Sequence, residues 1–413
     1  MFKESKYYGE IWLPNNIEKT SFCVLEIKDG EIFLETNLSG DGPEYKKDLI
    51  YGRFNSLGFV TMINNIIRHS SSGITQARIY NPEYFFSSSD HLVKLESLKI
   101  KEFKVDNIVF NDWIRQFRVY NYIDKKIEEN EKINHKIQIQ DKSLELEIIK
   151  TVTYNSTKDH LMFKNGGLIS FVSSKEINIL ESIDLYKKFQ KFLLFFFGKS
   201  SHFSSFDFKC LGCGNWISMY YSDSLVADKS SSFIKLEYKD LKDDLKEALS
   251  NWYLNEELQF CGDIIIENLL SKKVSSSRRF TNSLSAYEAY NKRFGKIHLK
   301  PTLERYLFDS KDILCEIGKF KDEFFLSFVQ KIIRTRDMFV HGNKKQSDCF
   351  SKLELLYISY LLDFVVGIGL AKEMKLSEAN IKKIFDCAVS NYVHMQSTNK
   401  ILSQNIFDTD NLE

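Results

Sequence analysis

Two alternating segments, Ser21-Phe22-Cys23-Val24-Leu25-Glu26-Ile27 and Glu31-Ile32-Phe33-Leu34-Glu35-Thr36, flank Lys28-Asp29-Gly30. Alternation of apolar and polar side chains has the period of a half-buried strand, and Asp-Gly between two such runs is a strong hairpin signal. Further strand-like stretches run from Thr75 to Tyr80, Leu92 to Ile108, Lys136 to Gln140 and Leu144 to Tyr154. Short strands at this spacing predict a β-rich, sandwich-like amino-terminal domain. From Ser173 the period changes. Residues 174–197 carry apolar side chains at helical spacing, Phe206 to Tyr221 returns to strand character, and residues 238–270 read as an amphipathic helical connector.

The segment Lys272-Lys273-Val274-Ser275-Ser276-Ser277-Arg278-Arg279 breaks the apolar pattern, and a domain boundary is placed there. The organisation expected is residues 1–270 as the β-rich region, 271–395 as an all-helical bundle and 396–413 as a polar tail, an α+β chain. A length of 413 residues agrees with two domains rather than one core. With 57 basic and 56 acidic side chains, bulk charge selects no partner. Seven cysteines, an odd number, and no secretory apolar run after Met1-Phe2-Lys3-Glu4 lead us to expect reduced thiols and a cytoplasmic protein. The apolar run Leu355 to Ala371 approaches the length of a membrane span, but Asp363 interrupts it and Ser351 with Glu354 forms a capping-box pattern ahead of it. A buried helix, not a membrane helix, is expected there.

Residues Ile333-Arg334-Thr335-Arg336-Asp337-Met338-Phe339-Val340-His341 read as the last turns of a helix stopped by Gly342. Ile332, Ile333, Phe339 and Val340 are expected to form its buried stripe. Arg336 and His341 project from its end, about 140° apart on a regular helix. Arginine offers a permanently charged planar fork for phosphate oxygens, and histidine can take or give a proton near neutrality. Arg278, Arg279, Lys292, Arg334, Lys344 and Lys345 add a basic excess to the helical part that suits phosphate binding or solvated helix faces. Arg293 to His298 repeats the spacing, but Gly295 interrupts it and Pro301 follows. Cys210 and Cys213 form half of a zinc-binding pattern without a second pair. His69, His91, His135 and His160 fall in separate segments and are read as surface or loop side chains.

Arg336-Asp337-Met338-Phe339-Val340-His341 resembles the Arg, four to six residues, His motif of the HEPN domain, a superfamily of small helical ribonucleases, including the acidic or amide residue after the arginine. Phe280-Thr281-Asn282-Ser283-Leu284-Ser285-Ala286-Tyr287-Glu288 resembles the opening helix of ApeA-type HEPN proteins, and Tyr51-Gly52-Arg53-Phe54-Asn55-Ser56-Leu57-Gly58 looks like part of their amino-terminal region. That resemblance implies abortive-infection defence against phage, RNA cleavage without a metal or other cofactor, and tRNA as the substrate class. It also implies a homodimer joined through the helical domain and a phage-derived trigger. Under it Arg336 and His341 are catalytic and Asp337 supports them; Glu288, four residues ahead of Lys292, reads either as a surface ion pair with that lysine or as a further supporting residue. Two other readings stay open: a non-catalytic module that binds a ligand or partner beside a helical dimerisation domain, and the toxin of a toxin-antitoxin pair.

Overall fold

The computed structural model describes residues 5–28, 30–38, 46–71, 77–92, 98–114, 133–139, 142–156, 161–199, 203–211, 215–222, 225, 236–270, 274–342 and 348–398. By its internal contacts the chain divides into two compact units, residues 1–187 with 201–226, and residues 188–200 with 227–413.

The first unit is built on one antiparallel sheet. Its strands are β1 (Ser5–Leu13), β2 (Asn16–Lys28), β3 (Glu31–Thr36), β4 (Lys46–Phe54), β5 (Gly58–Ser71), β6 (Ala77–Ser88), β7 (Lys99–Asn107), β8 (Ile133–Ile139), β9 (Lys142–Ser156), β10 (Leu161–Asn178), β11 (Phe203–Cys210) and β12 (Trp216–Tyr221). The spatial order is β3-β2-β1-β4-β5-β6-β12-β11-β7-β10-β9-β8, and β3 also pairs with β6. That extra pairing, Leu34 opposite Tyr80, joins the ends of the first six strands into a ring. The β-rich half of this α+β chain therefore closes as a barrel continued by an open sheet, whereas a sandwich would pack two separate faces. Closure removes the free edges that β3 and β6 would otherwise present.

The hairpin read from Asp-Gly is formed, with Lys28 opposite Glu31 and Gly30 at φ 77°, a left-handed conformation that glycine adopts without steric cost. Alternation fills the barrel. Cys23, Leu25 and Ile27 of β2, Ile32 and Leu34 of β3, Ile50 and Phe54 of β4 and Val60 and Met62 of β5 are all buried. Farther along the sheet, Phe103 of β7 stacks between Phe171 of β10 and Phe206 of β11, at centroid distances of 4.5 and 5.2 Å. A short helix α1 (Ile108–Trp113) follows β7, capped by the Asn107 side chain.

Helix α2 spans Ile179–Phe197, not 174–197. β10 holds residues up to Asn178, and the helix starts where Asn178 and Glu181 exchange side-chain to backbone hydrogen bonds of 2.9 Å, a reciprocal cap that overrides the apolar periodicity ahead of it.

The second unit is helical: α3 (Tyr238–Leu241), α4 (Leu245–Leu254), α5 (Glu256–Leu270), α6 (Ser276–Phe294), α7 (Leu303–Asp309), α8 (Lys311–Gly318), α9 (Phe325–Val340), α10 (Lys352–Glu373) and α11 (Glu378–Thr398). The connector helices of residues 238–270 lie in this unit by contact. α5 packs on α6 and α10, and Asn282 of α6 donates to the Ile264 carbonyl of α5 at 3.1 Å. α10 is the axis of the bundle. Its length and composition would suffice for a membrane span, yet 78% of its most apolar window is buried among the other helices. The expected capping box is present, with the Ser351 hydroxyl accepting from the Glu354 amide and the Glu354 carboxylate accepting from the Ser351 amide.

Candidate functional site

The buried face of α9 consists of Phe325, Phe328, Val329, Ile332 and Thr335, side chains at i, i+3, i+4, i+7 and i+10. The stripe stops at Thr335. Phe339 and Val340, expected from their spacing to be buried, are instead 39% and 51% exposed. Thr335 anchors the segment that returns from α9 to α10: its hydroxyl donates to the Lys331 carbonyl at 2.7 Å and accepts from the Phe350 amide at 3.2 Å. Lys331 in turn reaches Glu354 of the α10 cap at 3.4 Å and lies over the Phe350 ring. The end of α9 is thereby held on both sides.

His341 is the C-cap of α9, at φ −103° and ψ 0°, and its amide donates to the Asp337 carbonyl at 3.1 Å. Gly342 follows at φ 67°, the left-handed conformation that ends a helix and that glycine adopts most readily. Because His341 has left the helical path, its ring is not confined to the 140° offset of a regular helix. Its Nε2 lies 3.5 Å from an Arg336 guanidinium nitrogen and 4.0 Å from Asp337 Oδ1. In the neutral ring with the proton on Nδ1, Nε2 accepts from Arg336. Asp337 reaches Arg336 at 3.5 Å.

A second helix completes the cluster. Glu288 of α6 places Oε1 3.4 Å from the Arg336 guanidinium. Burial pushes the Glu288 carboxyl above its usual range, and the facing Arg336 charge pulls it partly back. The sequence pattern pairs Glu288 with Lys292 four residues later, but the carboxylate turns to Arg336 while Lys292 stays exposed. The four side chains are between about a quarter and a half exposed, so a ligand can reach them.

The other basic residues read from the sequence do not all join this cluster. Arg334 is exposed and ion-pairs with Asp348, and Arg278 is exposed at the start of α6. Arg279 is not a surface phosphate ligand: it points inward, 3.5 Å from the fully buried Asp363 of α10, with its guanidinium over the Tyr360 ring at 4.3 Å. Asn268 of α5 donates to Asp363 at 3.3 Å and to Ser283 at 2.9 Å. Desolvation raises the Asp363 carboxyl to about 6, against the opposing pull of Arg279 and these hydrogen bonds. A charge buried in α10 requires such a partner, and that need claims Arg279. Lys344 and Lys345 lie outside the described residues.

His298, from the second Arg/His spacing, bonds Asp309 at 2.6 Å, beyond the end of α6 at Gly295. Cys210 is buried at the end of β11, and Cys213 lies outside the described residues. Among the described residues no group of three or more His, Cys, Asp or Glu side chains is placed to hold a metal ion. Of the histidines read as surface or loop residues, His91 lies in the loop after β6, half-buried among aromatic rings. His91 stacks on Tyr51 at 4.3 Å, with Trp12 and Phe59 edge-on at 5.3 and 5.1 Å, and burial lowers its pKa. Tyr51 opens the β4–β5 hairpin segment singled out in the sequence, where Trp12 of β1 lies opposite it.

A family model described as ApeA N-terminal domain 1 matches residues 6–252. No curated protein and no solved structure matches the chain. Since that match covers more than half of the 413 residues, the chain belongs to the ApeA family of anti-phage proteins.

Proposed function

We propose that this defence protein is a metal-independent endoribonuclease whose chemistry is carried by Arg336 and His341 at the end of α9. The observation that supports the reading best is the 3.5 Å approach of His341 Nε2 to the Arg336 guanidinium on an accessible helix tip, with Glu288 and Asp337 bracing the arginine.

The division of labour follows from the chemistry of RNA. His341 exchanges the proton of the attacking 2′-hydroxyl or of the departing 5′-oxygen, a contribution of roughly 10²–10⁴-fold for a positioned imidazole. Arg336 stabilises the charge that gathers on the phosphoryl oxygens, and its planar fork fits two of them. Glu288 and Asp337 hold that fork in place and offer phosphate no attraction of their own. Attack by the 2′-hydroxyl restricts cleavage to RNA and leaves 2′,3′-cyclic phosphate and 5′-hydroxyl ends.

One chain supplies one imidazole, whereas the reaction uses an acid and a base. A twofold homodimer through the helical unit brings two Arg336/His341 sets to one cleft. The exposed apolar side chains of Phe339 and Val340, adjacent to His341, favour that arrangement because a second copy would cover them. The family resemblance adds tRNA as the substrate, phage infection as the trigger and the β-rich region as the part that restrains or senses.

The test is incubation of the purified protein with total RNA, and then with tRNA, in EDTA. Cleavage that disappears in both Arg336→Ala and His341→Ala, with the helical content of each variant unchanged, supports the reading. Cleavage that survives both substitutions removes it.

A further inference from the structure

The helical unit contains a cleft of ≈ 830 Å³ bounded by α4, α8, α11 and the carboxyl-terminal end of α10. That volume is within the roughly 300–1,000 Å³ typical of small-molecule sites. Its apolar lining is Ile313, Ile368, Leu376, Ile381 and Phe385. The rim is charged and sorted by element. Asp312 and Glu316 come from α8 and Glu247 from α4, while Lys372 and Lys375 come from the end of α10 and the turn after it, and Lys382 from α11. Glu378, in the first turn of α11, adds a fourth carboxylate to the lining. Among the described residues none of these charged groups makes an ion pair within 4.0 Å.

Two of the rim charges sit where the fold by itself disfavours them. Glu316 lies in the last turn of α8, against the negative end of its dipole and four residues from the like charge of Asp312, both unfavourable. Lys375 occupies the left-handed position after α10, at φ 65°, with the Leu376 amide bonded back to the Ala371 carbonyl at 3.3 Å. Glycine is the residue favoured there, and a side chain is strained. Both residues line the cleft.

We infer that this cleft binds a short apolar peptide with free ends: the ammonium faces Asp312 and Glu316, the apolar side chains cover the apolar lining and the carboxylate faces Lys372 and Lys375. Carboxylates from α8 and ammonium groups from the end of α10, around an apolar lining, are complementary to a zwitterion with an apolar middle. The volume accommodates a few residues. The proposal is independent of any nuclease activity at Arg336 and His341, because binding is read directly.

The test is calorimetric titration of the full chain with free-ended tri- to pentapeptides of leucine, valine and phenylalanine, and with the same peptides acetylated and amidated. Saturable binding of a free-ended peptide, weakened about tenfold by blocking both ends, is expected, since two partly exposed ion pairs are worth about 1–2 kcal/mol together. Lys375→Gly removes the ammonium while relieving the left-handed strain, so it should keep or raise the melting temperature and still lose affinity. Asp312→Asn with Glu316→Gln should lose affinity for the free-ended peptides alone. No saturation by any peptide at millimolar concentration, equal binding of free and blocked forms, or unchanged affinity in both variants would overturn the proposal.

Discussion

The Arg336 guanidinium on α9 lies 3.4 Å from the Glu288 carboxylate on α6, so the arginine at the helix tip is positioned by a neighbouring helix as well as by its own. The contact is partly buried, which raises the carboxyl's pKa above the usual glutamate range. Arg336 therefore takes its orientation from the bundle packing, and the properties of the cluster follow from that.

Replacing Arg336 with lysine tests the fork rather than the charge. An ammonium cannot contact two phosphate oxygens in a plane and also face Glu288 and Asp337. RNA cleavage by Arg336→Lys should fall by about 10²- to 10³-fold, as for loss of a preorganised donor, with little change in melting temperature. Near wild-type cleavage in this variant would show that charge alone suffices.

Glu288→Gln keeps the shape of the side chain and removes its charge. Because burial raises the Glu288 pKa, acidification neutralises this carboxylate at a higher pH than an ordinary glutamate, and the charge contact to Arg336 is lost with it. The wild-type rate should drop early on the acid side. Glu288→Gln should be slower at neutral pH by about 10- to 100-fold, as expected when a positioning contact is lost, and should lack that early drop. A pH-rate profile of the two proteins, in which an unaltered acid limb counts against the positioning role, decides this.

Asp363 makes the helical unit sensitive to pH. Its carboxyl titrates near 6 in the folded chain, above the ~3.9 of an unfolded aspartate. The folded state holds the proton more tightly, so this group's stabilising contribution is complete below about pH 4 and is lost as pH rises through 6. The difference in unfolding free energy between wild type and Asp363→Asn should therefore shift by up to about 3 kcal/mol against the wild type from pH 4 to pH 7.5. Urea denaturation at several pH values measures it, and a constant difference would contradict the buried protonation.

Phe339 and Val340 are exposed apolar side chains next to His341. Phe339→Glu or Val340→Glu should leave the fold intact, since neither residue is in the core. If these side chains meet a second copy, light scattering should report a shift from dimer to monomer, with loss of RNA cleavage. A variant that remains dimeric and active would place the interface elsewhere.

Thr335 carries two hydrogen bonds between α9 and the return to α10. Thr335→Val leaves the buried Phe350 amide without its acceptor, which costs about 1–3 kcal/mol. The melting temperature should fall, and cleavage should fall with it because the end of α9 is less firmly held.

Several features of this chain follow from local pattern alone. Alternation around Asp29-Gly30 specified the β2–β3 hairpin, and Ser351 with Glu354 specified the start of α10, because period, turn and cap are properties of adjacent residues. The end of α9 at Gly342 was legible for the same reason. Tertiary structure decided what no local pattern encodes. The β3–β6 pairing turned a series of hairpins into a barrel. Glu288 turned to Arg336 rather than Lys292, and Arg279 was drawn inside by Asp363. These outcomes depend on which helices and strands become neighbours and on the cost of leaving a buried charge unpaired, both set only once distant parts of the chain have packed.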